Sequence, residues 1–169
     1  MATEAEGRPA IPIFRFVGPS GSGKTTLLER VVGELKRRGL RVAVAKDTHH
    51  DVELDQPGKD TWRLARAGAE QVVLATDARL TLFQRRSRRP TLAEIAALVA
   101  PQADILLAEG FRDSVEPAVL VWRSALGRDG VAGTDPVVAI VADAPTGLGA
   151  PEFELDQVKP LVELLLASR

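Results

Sequence analysis

GPSGSGKT, residues 18–25, is the stretch that decides the fold of this chain. It matches the pattern G-x-x-x-x-G-K-[ST] at every fixed position. Its glycines permit backbone angles and close approaches that a Cβ would obstruct, so consecutive N–H groups can point inward at phosphate oxygens. The motif therefore predicts a loop that binds the phosphates of a nucleotide.

The segments on either side of this loop support the prediction. IPIFRFVG, residues 11–18, is largely apolar and indicates a buried strand. After the loop, KTTLLERVVGELKRRG begins at Lys24 and carries apolar residues at helical spacing. Such a helix directs the positive end of its dipole at the same anion. Its last turn is basic, and we predict that Gly39 caps it in the left-handed conformation.

The residue types in the loop suit a triphosphate. Because a triphosphate needs its charge spread over fixed donors and a metal ion, we expect Lys24 to contact the β- and γ-phosphates and the Thr25 hydroxyl to bind Mg²⁺. Lys24 is also a candidate catalytic residue. The predicted nucleotide-binding residues in this segment are Gly18, Pro19, Ser20, Gly21, Ser22, Gly23, Lys24, Thr25 and Thr26.

A second buried strand, ADILLAEG at residues 103–110, supplies a carboxylate in Glu109. A phosphate-binding loop of this kind needs an acidic residue for the magnesium shell, usually at the carboxyl end of a buried strand. Asp104 lies about 16 Å earlier along the same strand, at the wrong end for an α/β site. We predict Glu109 as a metal ligand and catalytic residue; a carboxylate that only caps a strand end is the alternative.

The polar segment DTHHDVELDQPGKD, residues 47–60, follows the predicted strand RVAVAK and shows no clear period. We interpret it as a switch-like loop over the phosphates, which supplies Asp47 or Asp51 to magnesium through water. A zinc site that uses His49 and His50 is one alternative. An ordinary solvated loop is the other.

Strands and helices alternate along the rest of the chain. Further elements are predicted as a short helix at 61–69, strands at 71–76 and 79–86, a helix at 91–100, strands at 117–122 and 136–143, and a helix at 155–167. This alternation predicts an α/β fold of the P-loop NTPase-like layered type, a largely parallel sheet flanked by helices with a β-hairpin insertion. We expect residues 1–10 to be a disordered tail and residues 11–169 to be a single P-loop nucleotide-binding domain.

Composition narrows the class of protein further. Lys and Arg number 22 against 23 for Asp and Glu, so no overall field favours nucleic acid or an anionic membrane. The absence of cysteine excludes disulfides, thiolate metal sites and iron–sulfur clusters. The N-terminus lacks the apolar core of a signal peptide, and no apolar stretch reaches the roughly 20 residues that cross a bilayer. We expect a cytoplasmic protein that binds neither nucleic acid nor membrane.

Three segments resemble the molybdopterin-guanine dinucleotide biosynthesis protein B family. They are FVGPSGSGKTTLLERVVGELKRRG, VAVAKDTHHDVELDQPGKDTWRLARAGA and ADILLAEGFRD, at residues 16–39, 42–69 and 103–113. The middle segment is the distinctive one, because HHD followed by PGKDTWR and AGA is not a general feature of P-loop proteins. Together the segments cover about the first two thirds of the chain.

This resemblance implies a GTP-binding accessory protein of molybdenum cofactor biosynthesis, with at most weak Mg²⁺-dependent GTP hydrolysis. It would act beside the MobA-type molybdopterin guanylyltransferase, which joins GMP to molybdopterin, and molybdopterin itself is a further candidate ligand. Homodimers are typical of the family. Its phosphate-binding positions fall on residues 21–26, and its acidic strand end falls on Glu109. The family often has histidine where this sequence has Asp47, which leaves the role of that position open.

A small-molecule kinase that uses ATP is the competing function. It would use the arginines at 85–89 as a lid over the phosphates. The switch interpretation is favoured because the polar loop is long and adjacent to the cradle, whereas the arginine segment is too short for a separate lid domain.

Recognition of guanine needs a carboxylate, and the chain has no N-K-x-D segment to supply it. Asp143 follows the predicted strand PVVAIVA and would emerge at the carboxyl end of the sheet, the same edge as the phosphate-binding loop. A carboxylate there accepts hydrogen bonds from the N1–H and the amine of guanine. We predict this role for Asp143; an aspartate that only starts a turn before Pro145 is the alternative.

Overall fold

The structure, a computed structural model, describes residues 11–48, 55–127 and 136–168. The chain divides into two compact units, one of Met1–Asp47 with Thr91–Arg169 and the other of Thr48–Pro90. Three predicted features lie outside the described residues: the tail at 1–10, the candidate zinc ligands His49 and His50, and the candidate magnesium ligand Asp51. A single domain over 11–169 stays a prediction.

Eight strands and four α-helices make up the described structure. The strands are β1 Ile13–Val17, β2 Val42–Lys46, β3 Gln71–Ala75, β4 Leu80–Gln84, β5 Ile105–Glu109, β6 Ala118–Trp122, β7 Val137–Ala142 and β8 Glu152–Phe153. The α-helices are α1 Lys24–Arg37, α2 Asp60–Arg66, α3 Leu92–Val99 and α4 Val158–Ala167.

The first unit contains a six-stranded sheet in the order β2-β5-β1-β6-β7-β8. All of its pairings are parallel. The central strands are buried on both faces, which explains why β5 and β6 read as continuous apolar runs rather than as alternating patterns. Parallel strands end at the same edge, so the residues that follow β1, β5, β6 and β7 meet there. The predicted α/β fold is confirmed.

Helices cover the two faces of this sheet. Phe14 and Phe16 of β1 pack in one buried cluster with Leu27 and Val31 of α1 and Leu161 of α4. On the other face, residues of α3 pack against alternate residues of β5. None of the described helices is long and apolar enough to cross a membrane.

The predicted cap at the end of α1 is confirmed, and the start of α3 is capped as well. Gly39 has a φ of 81° in the turn after α1, and its N–H donates to the carbonyl of Lys36. Thr91 and Glu94 form a reciprocal capping box at the start of α3.

The end of the chain differs from the prediction. The last helix begins at Val158 rather than at Leu155, because Glu152–Phe153 form β8 and pair with Ile140 and Val141 of β7. A two-residue strand is too short to show a period of two in the sequence. The segment between β8 and α4 is a turn, in which the side chain of Gln157 accepts from the Glu154 N–H.

The second unit contains α2 and the antiparallel hairpin of β3 and β4, as predicted for the insertion. Val72 is buried on one face of the hairpin. The opposite face carries Val73, Ala75, Leu80 and Leu82, which are all exposed. Because cross-strand partners share a face, these four side chains form a continuous apolar surface, the hairpin face.

Candidate phosphate-binding site

The loop between β1 and α1 has the strand–loop–helix setting that its sequence predicts. Gly18 has a φ of 148°, and a Cβ built there would lie 2.0 Å from the carbonyl oxygen of Val121. No side chain fits at that distance, so β1 and β6 can approach only because residue 18 is glycine. Gly23 is the N-cap of α1, in the left-handed region with φ 94° and ψ 19°. Ser20 and Gly21 are exposed in this loop, and Pro19 is half-buried.

The donors around this loop fit a phosphate group. Gly23 has no side chain to cap α1, and the first turn of α1 contains no acidic residue. Thr26 is exposed in that turn. The hydroxyl of Ser22 is buried and has no hydrogen-bond partner among the described residues. An unneutralised helix N-terminus and an unsatisfied hydroxyl beside it favour an anion that accepts several hydrogen bonds.

Lys24 lies folded along the same loop. Its Nζ donates to the carbonyl oxygens of Gly18 at 3.1 Å and Pro19 at 2.6 Å. Burial lowers the pKa of Lys24; the charge of Glu109 opposes that shift, and the charges of Arg112 and Lys46 add to it. A partly desolvated ammonium among other cations is stabilised by an added anion. Its contact with the β- and γ-phosphates stays a prediction.

Thr25 and Glu109 are brought together as the sequence predicts. The Thr25 hydroxyl donates to Oε2 of Glu109 at 2.9 Å, and Nζ of Lys46 lies 3.2 Å from Oε1. The Glu109 side chain is only 12% exposed. Asp104, the rejected competitor, pairs with Arg41 at the opposite end of β5, where Nη2 and Oδ1 are 2.5 Å apart. Strand direction therefore separates the two carboxylates as expected.

Asp47 joins the end of β2 to the end of β5. Its N–H donates to the carbonyl oxygen of Glu109 at 2.9 Å, and its Oδ2 accepts from the Phe111 N–H at 3.2 Å. A Cβ at position 110 would lie 2.9 Å from the Asp47 Cβ, so Gly110 permits this close approach. Asp47 thus lies beside Glu109, while its magnesium-binding role stays a prediction.

The oxygen atoms of Thr25, Asp47 and Glu109 suit Mg²⁺ better than zinc. Magnesium usually binds one or two carboxylates, and phosphates and water complete its six ligands. Within the described ranges, no group of three or more His, Cys, Asp or Glu side chains could hold a metal ion by itself. A metal at this edge would therefore need ligands from a bound phosphate.

A cavity of about 330 Å³ opens beside the loop. Its lining includes Arg30, Arg123, Asp143, Glu154, Leu155 and Asp156. Arg123 follows β6 directly, and its Nε donates to the Ser22 carbonyl oxygen at 3.3 Å. A Cβ at Gly23 would lie 3.6 Å from Nη2 of Arg123 and 3.7 Å from Cδ2 of Leu155. Two residues that line the cavity therefore lie against the phosphate-binding loop.

Asp143 lies in this cavity, at the carboxyl end of β7, as its position in the sequence predicts. Its Oδ1 accepts from the Ser124 N–H at 2.7 Å, at the start of the short 3₁₀-helix Ser124–Leu126. The pKa of Asp143 is lowered, and this hydrogen bond is the main cause. Asp143 thus has a structural role, and its role toward a base stays a prediction.

Arg123 and Leu155 were not predicted as site residues. A basic residue directly after the buried strand AVLVW is the only signal for Arg123, and it equally suits an exposed strand end. The apolar spacing predicts Leu155 in the last helix, because the two residues of β8 are too few to indicate a strand. Strand order brings both to the phosphate-binding loop.

Comparison with known proteins connects this geometry to one family. The family model described as "Molybdopterin guanine dinucleotide synthesis protein B" matches residues 13–143. A molybdopterin-guanine dinucleotide biosynthesis adapter protein of Haemophilus influenzae is 31% identical over 92% of this chain and 88% of its own length. Its counterpart in Escherichia coli is 30% identical over 95% and 94%.

Solved structures agree with these relatives. A crystal structure of molybdopterin-guanine biosynthesis protein B aligns with a TM-score of 0.75 at 30% identity, over 92% of this chain and 97% of that one. The crystal structure of Bacillus subtilis MobB aligns with a TM-score of 0.74 at 28% identity, over 93% and 97%. The likeness therefore extends over nearly the whole length of both chains.

Proposed function

This chain belongs to the molybdopterin guanine dinucleotide synthesis protein B (MobB) family, a family with a nucleotide-binding P-loop fold, and we propose that it is a GTP-binding adapter in molybdenum cofactor biosynthesis. The observation that carries this proposal is the Thr25–Glu109 hydrogen bond at the mouth of the phosphate-binding loop. This hydrogen bond joins two of the predicted metal-binding side chains, next to Lys24 in the sequence. The relatives in H. influenzae and E. coli carry the name of adapter proteins.

GTP with Mg²⁺ is the ligand that we propose for the site. The loop and the start of α1 would hold the phosphates, with Lys24 moving from its carbonyl partners onto the β- and γ-phosphates. Thr25 and Glu109, with Asp47 through water, would bind Mg²⁺, which neutralises charge on the phosphates. The cavity beside Arg123 and Asp143 would take the base.

Hydrolysis of GTP would be weak in this site. Glu109 is the predicted catalytic carboxylate, but it already pairs with Thr25 and Lys46. A carboxylate with both oxygens engaged is a poor acceptor for the proton of an attacking water. Lys24 can stabilise phosphate charge but cannot act as a base while protonated. This arrangement suits a nucleotide-controlled adapter better than an enzyme of rapid turnover.

The partner that we propose is a molybdopterin guanylyltransferase of the MobA type, with molybdopterin as a further candidate ligand. The word "adapter" in the names of the relatives supports such a partner. The kinase alternative gains no support from its lid residues. The side chains at 85–89 follow β4 and are exposed, which favours the interpretation of a solvated strand end.

Calorimetric titration with GTP, GDP and ATP, with and without Mg²⁺, tests the ligand. We expect GTP to bind more tightly with Mg²⁺ than without it, and more tightly than ATP. Addition of the chain to a purified guanylyltransferase, molybdopterin and GTP then tests the adapter role, and should increase the amount of guanine dinucleotide cofactor formed. Failure of every nucleotide to bind would contradict the ligand, and an unchanged product yield would contradict the adapter role.

Glu109→Gln is expected to uncouple GTP from Mg²⁺. The amide keeps the shape of the side chain but loses the charge that attracts the ion. We expect the affinity for GTP without Mg²⁺ to change by less than about twofold. With Mg²⁺ present, the affinity for GTP should fall about tenfold, because one charge-assisted contact is lost. Titration of both proteins with GTP at several Mg²⁺ concentrations measures this.

Asp104→Asn is the matched control for Glu109→Gln, because it removes a carboxylate from the other end of β5. Its magnesium dependence should equal that of the unsubstituted protein. A Glu109→Gln variant with unchanged magnesium dependence would exclude Glu109 from the metal site.

We further propose that the chain forms a homodimer through the hairpin face. Val73, Ala75, Leu80 and Leu82 form an exposed apolar surface, of the kind that marks an interface. We expect Leu80→Lys to weaken self-association at least about tenfold, because the ammonium would have to be desolvated on dimer formation. Sedimentation velocity over a range of concentrations measures the change.

Leu98→Lys is the control for this prediction. Leu98 is 60% exposed on α3 and Leu80 is 75% exposed, so the two variants change surface hydrophobicity similarly. Equal self-association of Leu80→Lys and the unsubstituted protein would exclude the hairpin face as the dimer interface.

A further inference from the structure

Arg15 is a charged residue at the centre of the main sheet. It lies in the middle of β1 and is 0% exposed. Because side chains alternate along a strand, Arg15 faces away from the core cluster that contains Phe14 and Phe16. Burial lowers the pKa of the guanidinium, while the charge of Glu116 opposes that shift. Burial of a guanidinium destabilises the folded protein unless its N–H groups donate hydrogen bonds. The acceptors of these hydrogen bonds therefore indicate the role of Arg15.

Three hydrogen bonds of Arg15 go to one segment, residues 110–116, between β5 and β6. Its Nε donates to the Glu116 carbonyl oxygen at 2.6 Å. Its Nη1 donates to the carbonyl oxygens of Phe111 and Arg112, both at 3.1 Å. A planar guanidinium with several donors can hold both ends of a loop at once, which a lysine ammonium does less well. Arg15 therefore fastens this segment to the centre of the sheet.

The segment that Arg15 holds has an unusual backbone. Phe111 has a φ of 53°, the only positive value at a non-glycine residue among the described residues, and it follows Gly110 with φ 93°. The left-handed region is unfavourable for a side chain as large as phenylalanine, so surrounding contacts must maintain it. The Phe111 N–H donates to Asp47 and its carbonyl accepts from Arg15. The peptide groups on both sides of Phe111 are thereby fixed.

This segment borders the predicted metal side of the phosphate-binding loop. It follows Glu109 directly, and the Gly110 N–H donates to the Phe16 carbonyl of β1 at 3.0 Å. Arg112 is exposed on the segment. It lies three residues after Glu109, whose carboxylate accepts from the hydroxyl of Thr25, the neighbour of Lys24, at 2.9 Å. Arg112 is thus an exposed cation on the segment that begins at the predicted metal side of the phosphate-binding loop.

We propose that Arg15 is a positioning residue, which holds residues 110–116 so that Arg112 can contact the terminal phosphate of a bound triphosphate. This proposal rests on the proposed function, because it assumes that a nucleotide occupies the loop. Its consequence is selectivity: the segment contributes to binding of GTP and not of GDP. Residues 18–25 bind the phosphates that both nucleotides share.

Arg15→Met tests the proposal through the ratio of GDP to GTP dissociation constants. Methionine is apolar, unbranched and able to fill the buried space, but it releases the three carbonyl groups. With Mg²⁺ present, we expect the affinity for GTP to fall about tenfold, which is the scale of one charge-assisted contact. The affinity for GDP should change by less than about twofold. Arg112→Ala should give the same selective loss. Arg15→Lys, which keeps the charge and one donor group, should recover part of the GTP affinity.

Two further measurements separate positioning from a general effect on folding. Hydrogen exchange of Arg15→Met should be faster at residues 110–116 and unchanged in α1. Arg41→Met removes an arginine from the opposite end of the sheet and should leave the ratio unchanged. Equal weakening of GTP and GDP in Arg15→Met, or an unchanged ratio in Arg112→Ala, would overturn the proposal. If the unsubstituted protein binds neither nucleotide, the proposed function itself fails.

Discussion

Lys24→Ala is expected to weaken binding of GTP about 10- to 150-fold, which corresponds to about 1.5–3 kcal/mol for one charge-assisted contact. The ammonium is already partly desolvated against the carbonyl oxygens of Gly18 and Pro19. Transfer to a phosphate would therefore add little desolvation and would replace neutral acceptors with charged ones. Binding should not vanish, because the backbone donors of the loop and of the start of α1 remain. Calorimetric titration with GTP and Mg²⁺ measures the loss.

Lys36→Ala is the matched control for Lys24→Ala. Lys36 is an exposed residue of the last turn of α1, so its removal changes the net charge equally without touching the loop. GTP affinity of this variant should stay within about twofold of the unsubstituted protein. If Lys24→Ala binds GTP as tightly as Lys36→Ala does, the loop at 18–25 is not the nucleotide site.

The fold could be predicted because its determinants are local. The loop sequence defines a strand before it and a helix after it, and β1 and α1 are found there. Strand direction then distinguished Glu109 from Asp104 without any knowledge of strand order. The hairpin was equally visible, because its two apolar runs lie close together in sequence with a turn between them.

Features that depend on distant partners could not be predicted. Arg15 was interpreted as one residue of an apolar strand, since its carbonyl partners follow about 100 residues later in the chain. Arg123 reaches Ser22 across a similar separation. Asp47 was expected near the metal, but its bond to the Phe111 N–H depends on the pairing of β2 with β5. Neither strand order nor register can be derived from residue periodicity alone.

We propose that the cavity beside Arg123 takes the base, and Asp143 is the carboxylate of its lining best suited to bind guanine. Glu154 and Asp156 also line the cavity, but they follow β8 and lie in the turn before α4. Asp143 is held in place by the backbone N–H and the side chain of Ser124, and its two oxygens have further lone pairs for a ligand. A carboxylate fixed in this way can accept from the N1–H and the amine of guanine. Adenine cannot supply that pair of donors.

Asp143→Asn is expected to reverse the preference between GTP and xanthosine triphosphate. The amide oxygen can still accept from the Ser124 N–H, so this hydrogen bond to the 3₁₀-helix is kept. The amide N–H₂ group would then face the amine of guanine, and two donors cannot hydrogen-bond to each other. Xanthine has an oxygen in place of that amine, and this oxygen can accept a hydrogen bond from the amide N–H₂ group. We expect GTP to lose and xanthosine triphosphate to gain about 10- to 100-fold each. Competition binding measures the affinities for both nucleotides, and Asp156→Asn is the control. If GTP still binds more tightly than xanthosine triphosphate in Asp143→Asn, Asp143 is excluded as the residue that recognises the base.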